Sequence, residues 1–462
     1  MATSSVASTS AGTLDVPSLV SQLMTNERQP INTLNTKVTN TQAKISSLGT
    51  IKSLASGFQT AIQNLTSSLQ ANSVTSSDTS VASATASSSA AAGTYSLSVT
   101  TLAQTQSLAA AGQASDTSAI SSVASSVTFT VGTTSTNVAI AAGATLQDIR
   151  TAINAANIGV TATVVNDGSG SPYRLSLTSN NQGTSNAISS ITVNAGGDTA
   201  VNNLLAYHPT TNAPSPTPSV PMAQTVAAAN AVFTVNGIQM TKSSNTVSDA
   251  IQGVTLTLTN NSTATLTVAH DTAAVGTATS GFVDAYNALY SQLKIRSSYG
   301  TTTTAAGDLA GDGTLRLMTD QLRGIFSTAA TPASGGTLTN LSQVGITTQT
   351  DGSLKLDSTK LNSAVASNFS DVSNLFTSAT GFATRMNAWA TSVVKTGGTI
   401  DTHTDSLNTS IKRYNDQISQ LEVRMTALQK QYTTTYTNLN TMLNSMNTTS
   451  NYLTQAFAST TK

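Results

Sequence analysis

Apolar residues near the C-terminus recur in alternating steps of three and four positions between Leu407 and Leu453. An apolar repeat of this period predicts a helix that buries one narrow stripe against another helix. Neither glycine nor proline interrupts the stretch, so nothing local ends the helix. The predicted coiled-coil seam consists of Leu407, Ile411, Tyr414, Ile418, Leu421, Met425, Leu428, Tyr432, Leu439, Met442, Met446 and Leu453, with Thr435 and Thr449 at the two polar positions.

The N-terminal part of the chain carries the same spacing. The predicted N-terminal leg consists of Leu23, Ile31, Leu34, Val38, Ile45 and Leu48. Pro30 indicates a helix end or a kink, and a shortened step at Gly49 predicts a local change in supercoiling or a joint. Because a helix with one apolar stripe needs a partner, we expect the two ends of the chain to pair. The segment between them is then an insertion.

Alternating apolar and polar residues predict two copies of one β-rich unit, at 127–193 and 226–270. Each copy is expected to contain one short helix. In the first copy, Thr145 and Asp148 have the spacing of a helix-capping pair. We therefore place the start of its helix at this pair.

The second copy repeats the capping pattern at Thr246 and Asp249, and Gly253 follows a few residues later. This pattern predicts a shorter helix that ends at the glycine. The prolines between the copies, from Pro209 to Pro221, predict a stiff, extended connection.

The helical pattern returns after Asp271. Together the patterns predict a multidomain α+β fold, in which terminal coiled-coil legs and a helical domain carry two inserted small β-rich domains. The expected domains are a coiled-coil leg of 1–45 with 396–462, a helical leg domain of 46–75 with 271–395, a β-rich domain of 76–126 with 226–270, and an outer β-rich domain of 127–225.

Charge and cysteine content narrow the classes of function. Charged residues make up 9% of the 462 residues and the net charge is zero, so no basic surface is available for nucleic acid or an anionic membrane. Serine and threonine supply roughly a third of the chain, another departure from average usage. Such a surface suits a protein that packs against copies of itself, or a secreted adhesive module. The absence of cysteine excludes disulfides and thiol chemistry.

Candidate chemical groups are sparse. His208, His270 and His403 lack a second metal ligand at helical spacing, and Asp308 to Asp312 lacks the alternating ligands of a calcium loop. We therefore expect no active site, no metal and no cofactor. Met1 to Leu14 has neither the charged nor the apolar region of a Sec signal, and no apolar run reaches the length of a membrane span.

A set of short motifs occurs in a fixed order along the chain. They are Leu14-Asp15-Val16, Val20-Ser21-Gln22-Leu23-Met24, Glu27-Arg28-Gln29-Pro30, Gly93-Thr94-Tyr95, Leu102-Ala103-Gln104, Phe282-Val283-Asp284-Ala285-Tyr286-Asn287, Gly345-Ile346-Thr347, Leu356-Asp357, and the run from Ser445 to Leu453. The set resembles the flagellar filament cap family, also called hook-associated protein 2 or FliD. Residues 127–193 are similar to the flagellin hook repeat of the same family. The resemblance spans nearly the whole chain.

The resemblance implies a non-enzymatic cap at the distal end of the bacterial flagellar filament. It implies a ring of several copies, commonly five, with the β-rich domains as a plate and the terminal helices as legs. Flagellin is folded and inserted beneath such a plate. The resemblance further implies an extracellular location reached by the flagellar type III route, contact with a hook–filament junction protein, and a cytoplasmic export chaperone that binds the C-terminal helices.

Two alternative functions remain open from the sequence. Another axial or junction component of the flagellum also carries heptads at both ends. A surface adhesin could use the threonine-rich β domains to bind glycan or mucus. The order of the motifs and the two inserted β-rich domains favour the cap.

Overall fold

The structure, a computed structural model, describes residues 14–209, 221–303, 305–332 and 336–459. These residues form two compact units. The first contains the described residues up to Ser68 and those from Thr272 onward, and the second runs from Leu69 to Asp271. Most of the predicted proline-rich connection lies outside the described residues.

Long helices form the two ends of the chain, and most of the strands lie between them. The helices are α1 (Val16–Glu27), α2 (Gln29–Ser68), α3 (Leu146–Ala155), α4 (Thr199–Leu205), α5 (Thr272–Ser297), α6 (Gly313–Ser327), α7 (Ser358–Ser367), α8 (Phe369–Thr377), α9 (Phe382–Val394) and α10 (Thr399–Ser459). The strands are β1 (Asn72–Ser76), β2 (Ala82–Ala86), β3 (Gly93–Thr101), β4 (Ser107–Ala110), β5 (Ser125–Val131), β6 (Thr134–Ile140), β7 (Val160–Asn166), β8 (Tyr173–Ser179), β9 (Ile188–Val193), β10 (Met222–Val226), β11 (Ala231–Val235), β12 (Ile238–Lys242), β13 (Thr246–Ile251), β14 (Val254–Leu258), β15 (Thr263–His270), β16 (Ile346–Thr348) and β17 (Leu354–Leu356). The predicted α+β class is confirmed.

The first unit is built around α2, which packs against α5, α9 and α10. Phe58 of α2 is fully buried. Its ring centroid lies 5.5 Å from that of Phe282 and 5.9 Å from that of Tyr286. The ring of Trp389 completes the cluster at 6.4 Å. Aromatic side chains from three helices therefore fix the centre of this unit.

The structure of α1 and α2 tests the two sequence predictions made at Pro30 and Gly49. The predicted helix end near Pro30 is confirmed, because α1 ends at Glu27 and α2 begins at Gln29. Of the two alternatives at Gly49, the joint is wrong, since α2 runs through it without a break, and the change in supercoiling stays a prediction. A Cβ added at Gly49 would meet nothing within 4 Å. The glycine lies on the open side of the helix, where a missing side chain changes no packing.

The second unit contains two antiparallel cores. One lies between a five-stranded sheet of order β1-β15-β3-β11-β12 and a three-stranded sheet of order β13-β14-β2, around Phe233, Leu256 and Leu266. The other lies between a four-stranded sheet of order β10-β4-β8-β7 and a three-stranded sheet of order β6-β5-β9. Phe129 and Tyr207 are buried there, together with residues of α3 and α4.

The helix predicted at Thr145 is present as α3. The Thr145 side chain accepts a hydrogen bond from the backbone N–H of Asp148, and the Asp148 carboxylate accepts from the backbone N–H of Thr145. Leu146, Ile149 and Ile153 form the buried face of the helix. The reciprocal cap explains why the chain turns into a helix at this point.

The helix predicted at Thr246 is wrong, because the segment forms strand β13 and pairs with β14. Asp249 does not cap a helix and instead accepts a 2.6 Å hydrogen bond from Nζ of Lys242. Gly253, with a φ of 73°, makes the turn between the two strands. Fewer than two helical turns fit between Thr246 and Gly253. Strand pairing therefore satisfies more backbone N–H and C=O groups of this segment than a helix would.

Replacement of Phe58 by alanine tests the central packing of the first unit. We expect Phe58→Ala to lower its free energy of unfolding by about 3–5 kcal/mol, since a buried ring is lost and a cavity remains. Trp389 is the single tryptophan of the chain, so its fluorescence during denaturant unfolding reports on this unit. The control Leu317→Ala alters a side chain of the same unit that is 54% exposed. Equal unfolding midpoints for the two variants would contradict this account.

Candidate subunit interface on the terminal helices

The first half of the predicted seam packs within the chain. Met425 of α10 is buried, at 3% exposure, in a cluster with α1 and the start of α2. The buried members of the cluster are Val16, Val20, Met24, Ile31 and Met425, and the partly buried members are Leu14, Ile418, Leu421, Leu428, Tyr432 and Tyr436. This cluster, called here the leg core, holds the two ends of the chain together.

Polar contacts flank the leg core and set the position of α1 along α10. Asp15 caps α1 by accepting a 3.2 Å hydrogen bond from the N–H of Ser18. Two guanidinium nitrogens of Arg28 lie 3.3 and 2.8 Å from the carboxylate oxygens of Glu422. Such a bidentate pair adds orientation, although an exposed pair contributes little to stability.

A tyrosine and an asparagine of α10 add further polar contacts to α1. The Tyr432 hydroxyl donates a 3.3 Å hydrogen bond to Glu27. Burial and the neighbouring Glu27 carboxylate raise the pKa of Tyr432. The side-chain oxygen of Asn440 accepts a 2.9 Å hydrogen bond from the backbone N–H of Leu14. The sequence pattern revealed none of these contacts, because each partner is chosen by the packing of distant helices.

The other predicted leg residues lie on α1 and α2, and both helices pack against α10. Ile31 and Leu48 are buried, and Leu23, Leu34, Val38 and Ile45 are half-buried. On α10, Leu407, Ile411 and Tyr414 are also half-buried. Nζ of Lys37 lies 5.9 Å above the centre of the Tyr414 ring. These residues lie at a helix–helix contact, and their role as an interface between copies stays a prediction.

The second half of the predicted seam is exposed in the single chain. Leu439, Met442, Met446 and Leu453 are 38%, 56%, 58% and 48% exposed. We call these four side chains the exposed stripe. They share one face of α10 because they continue the spacing of three and four. A monomer rarely leaves such a row of large apolar side chains in water without a binding role.

The exposed stripe arises from a change in which face of α10 meets α1. Packing follows Leu428, Tyr432 and Tyr436 in successive steps of four, and the next residue at that step, Asn440, is half-buried. Since a straight helix has 3.6 residues per turn, steps of four rotate the packed face away from a strict heptad. The heptad residues beyond Tyr432 consequently lie outside the leg core.

The end of α10 carries no charged side chain from Gln431 to Ser459. Its threonine hydroxyls bond within the helix, as Thr433 and Thr441 show by donating to the carbonyl four residues earlier at 2.8 and 2.9 Å. Thr448 and Thr454 do the same at 2.9 and 2.8 Å. This surface therefore offers shape and apolar area and no charged side chain for ion pairs.

The candidate chemical groups of the first unit have structural partners. His403 Nε2 lies 2.7 Å from Oδ2 of Asp312, and the other oxygen of Asp312 accepts from the first N–H groups of α6. Asp308 accepts hydrogen bonds from Ser47 and Arg296 at 2.7 and 2.8 Å, and these lower its pKa. Within the described ranges, no group of three or more acidic, histidine or cysteine side chains is placed to hold a metal ion.

Among the residues that the structure describes, no helix is both long enough and apolar enough to cross a bilayer.

Comparison with known families covers both ends and the inserted segment. Residues 12–106 match the family "Flagellar hook-associated protein 2 N-terminus", and residues 228–448 match "Flagellar hook-associated protein 2 C-terminus". Residues 126–181 match "Flagellin hook IN motif". This last match overlaps the first predicted β-rich copy, 127–193, over residues 127–181.

Individual relatives agree with the family matches. The flagellar hook-associated protein 2 of Salmonella typhimurium is 33% identical over 324 residues, which cover 68% of this chain and 67% of the relative. The B-type flagellar hook-associated protein 2 of Pseudomonas aeruginosa is 32% identical over 296 residues, 62% of this chain and 61% of the relative. The matches thus span about two thirds of the length of these relatives.

A solved structure shares the fold of most of the chain. The crystal structure of the D1-D2-D3 domains of the flagellar cap protein FliD from Escherichia coli is similar with a TM-score of 0.65 and 37% identity. The similarity covers 78% of this chain and 99% of that one. These matches do not favour a junction protein or an adhesin. The chain belongs to the flagellar hook-associated protein 2 (FliD) family, which caps the tip of the flagellar filament.

Proposed function

We propose that copies of this chain form the cap at the tip of the flagellar filament by packing their exposed stripes against neighbouring subunits. The supporting observation is the row of exposed apolar side chains on the charge-free end of α10. Burial of this row stabilises an assembly by roughly 25 cal/mol for each Å² of apolar surface removed from water. The cap promotes the folding and polymerisation of flagellin and prevents the loss of exported subunits.

The legs act mechanically. Ion pairs beside a heptad seam normally select one partner and one register, and α10 has no charged residue beyond Lys430 within its described part. Its contacts with flagellin or with a second copy are therefore exchangeable among similar surfaces. We infer that each leg releases one neighbour and binds the next as a flagellin subunit joins the filament.

The proposed assembly is a ring of several copies, with five as the expected number. Family membership supports flagellin as the partner beneath the cap, and it supports contact with a hook–filament junction protein during assembly. A cytoplasmic export chaperone would cover the C-terminal helices before export, because their apolar row would otherwise be exposed to water. The flagellar type III route then delivers the chain to the cell exterior. No catalytic step belongs to this function.

Substitution within the leg core tests its role in capping. We expect Leu428→Asp to separate α1 from α10, since burial of a carboxylate in this apolar contact costs several kcal/mol. The β-sheet signal in circular dichroism should stay unchanged, hydrogen exchange of α1 should increase, and the variant should fail to restore filaments in a cap-deletion strain. Val423→Asp is the matched control, because Val423 lies on the same helix and is 73% exposed. Normal filaments with Leu428→Asp would show that the leg core is dispensable.

Substitution on the exposed stripe tests association without disturbing the fold. We expect Met446→Glu to leave the thermal unfolding of the chain unchanged, because Met446 is 58% exposed. Light scattering at high protein concentration should show fewer rings for this variant. A cap-deletion strain that carries it should release flagellin as monomer. Asn444→Glu adds the same charge on the opposite face of α10 and should behave like the unaltered chain. If both variants assemble normally, the exposed stripe is not the subunit contact.

A further inference from the structure

Strand β7 is an edge strand with one open side. In the four-stranded sheet of order β10-β4-β8-β7, its one strand partner among the residues that the structure describes is β8. An edge strand presents unpaired N–H and C=O groups that can pair with a strand of another chain. A groove on this side is lined by Arg150, Thr151 and Asn154 of α3 and by Thr161 to Val164 of β7.

The amide of Asn154 occupies part of this open side. Its Nδ2 donates a 2.9 Å hydrogen bond to the carbonyl of Ala162, and its Oδ1 accepts a 2.8 Å hydrogen bond from the N–H of Ala162. One side chain thus binds both backbone groups of one residue, as the backbone of a neighbouring strand would do.

The same arrangement recurs in the other unit. Asn287 on α5 donates 2.9 Å to the carbonyl of Leu354 and accepts 2.8 Å from its N–H. Leu354 begins β17, whose only strand partner among the described residues is β16. In both cases a helix offers a side-chain amide to a strand that has a free side. The recurrence shows that this contact is a regular way for the fold to cover a strand edge.

We propose that Asn154 protects β7 against strand addition by a second copy of this chain. Alternate residues of a strand direct their backbone groups to the same side, so Val164 points its N–H and C=O the same way as Ala162. While the Asn154 amide is bonded to Ala162, an added strand cannot form its own two hydrogen bonds to the backbone N–H and C=O of Ala162. It would also have to displace the amide. This protection keeps copies of the chain from associating through the edge of β7, and it does not rest on the proposed capping function.

The register of the prevented contact follows from the strand geometry. If β7 of two copies pair antiparallel about Thr163, Ala162 of one copy faces Val164 of the other. Thr163 then faces its own counterpart in a non-hydrogen-bonded pair, with Cα atoms about 4.5 Å apart. That separation lies within the range of about 4.4–6.8 Å in which a disulfide forms.

Cysteine cross-linking of the full chain tests the proposal. The chain has no cysteine, so Thr163→Cys introduces a single thiol on the exposed face of β7. We expect Thr163→Cys combined with Asn154→Ala to give roughly tenfold more disulfide-linked dimer on oxidation than Thr163→Cys alone. Thr163→Cys with Thr151→Ala is the control, because the Thr151 hydroxyl donates to the Gln147 carbonyl and accepts from Nη2 of Arg150, both on its own helix and neither on β7. Equal cross-linking with and without Asn154 would overturn the proposal.

Hydrogen exchange of the unaltered chain provides a measurement that does not depend on the folding of a variant. The Ala162 amide is bonded to Asn154, whereas the Val164 amide points to the open side of β7. We therefore expect the Ala162 amide to exchange more slowly than the Val164 amide. Equal exchange rates would show that Asn154 does not hold the edge in solution, and the proposal would fail.

Discussion

Helix α10 is too long for its whole apolar face to be covered within the single chain. A helix with an apolar face must cover that face, and α10 has 61 residues while α1 has 12. At about 1.5 Å per residue, α1 covers only a short part of its partner. Contact with α2 covers the first turns. In the proposed cap, neighbouring subunits cover the remaining apolar side chains, so assembly completes the burial that folding begins.

The inserted unit is held together by strand pairing and not by long helices. Its strands come from distant parts of the sequence, since Asn72 pairs with His270 and Thr101 with Val232. Such non-local pairs form slowly because a long loop must close before they contribute stability. Each of the two β cores buries its own valine, leucine and phenylalanine side chains. Substitutions on the terminal helices therefore remove no contacts within these two cores.

Sequence periodicity predicted elements whose signals are local. Helix α3 was predictable because Thr145 and Asp148 satisfy each other's backbone groups within one turn. The same pattern at Thr246 failed, since the short segment gained more from pairing with β14 than from a helix. The face of α10 beyond Tyr432 was not predictable, because it depends on where α1 begins and how the packed face rotates. Amide contacts such as that of Asn154 leave no periodic signal at all.

The hydroxyl-rich, charge-free end of α10 has a consequence for the medium in which the protein works. Dissolved salt screens the attraction between exposed charges that are more than about 8 Å apart at physiological ionic strength, and it screens shorter separations in brine. Apolar contacts keep their strength as dissolved ions vary, and excluded salts even strengthen them. Hydroxyls bonded to their own helix do not titrate near neutrality. The contacts that we propose for the exposed stripe are therefore expected to hold in fresh water, in seawater and across a range of pH.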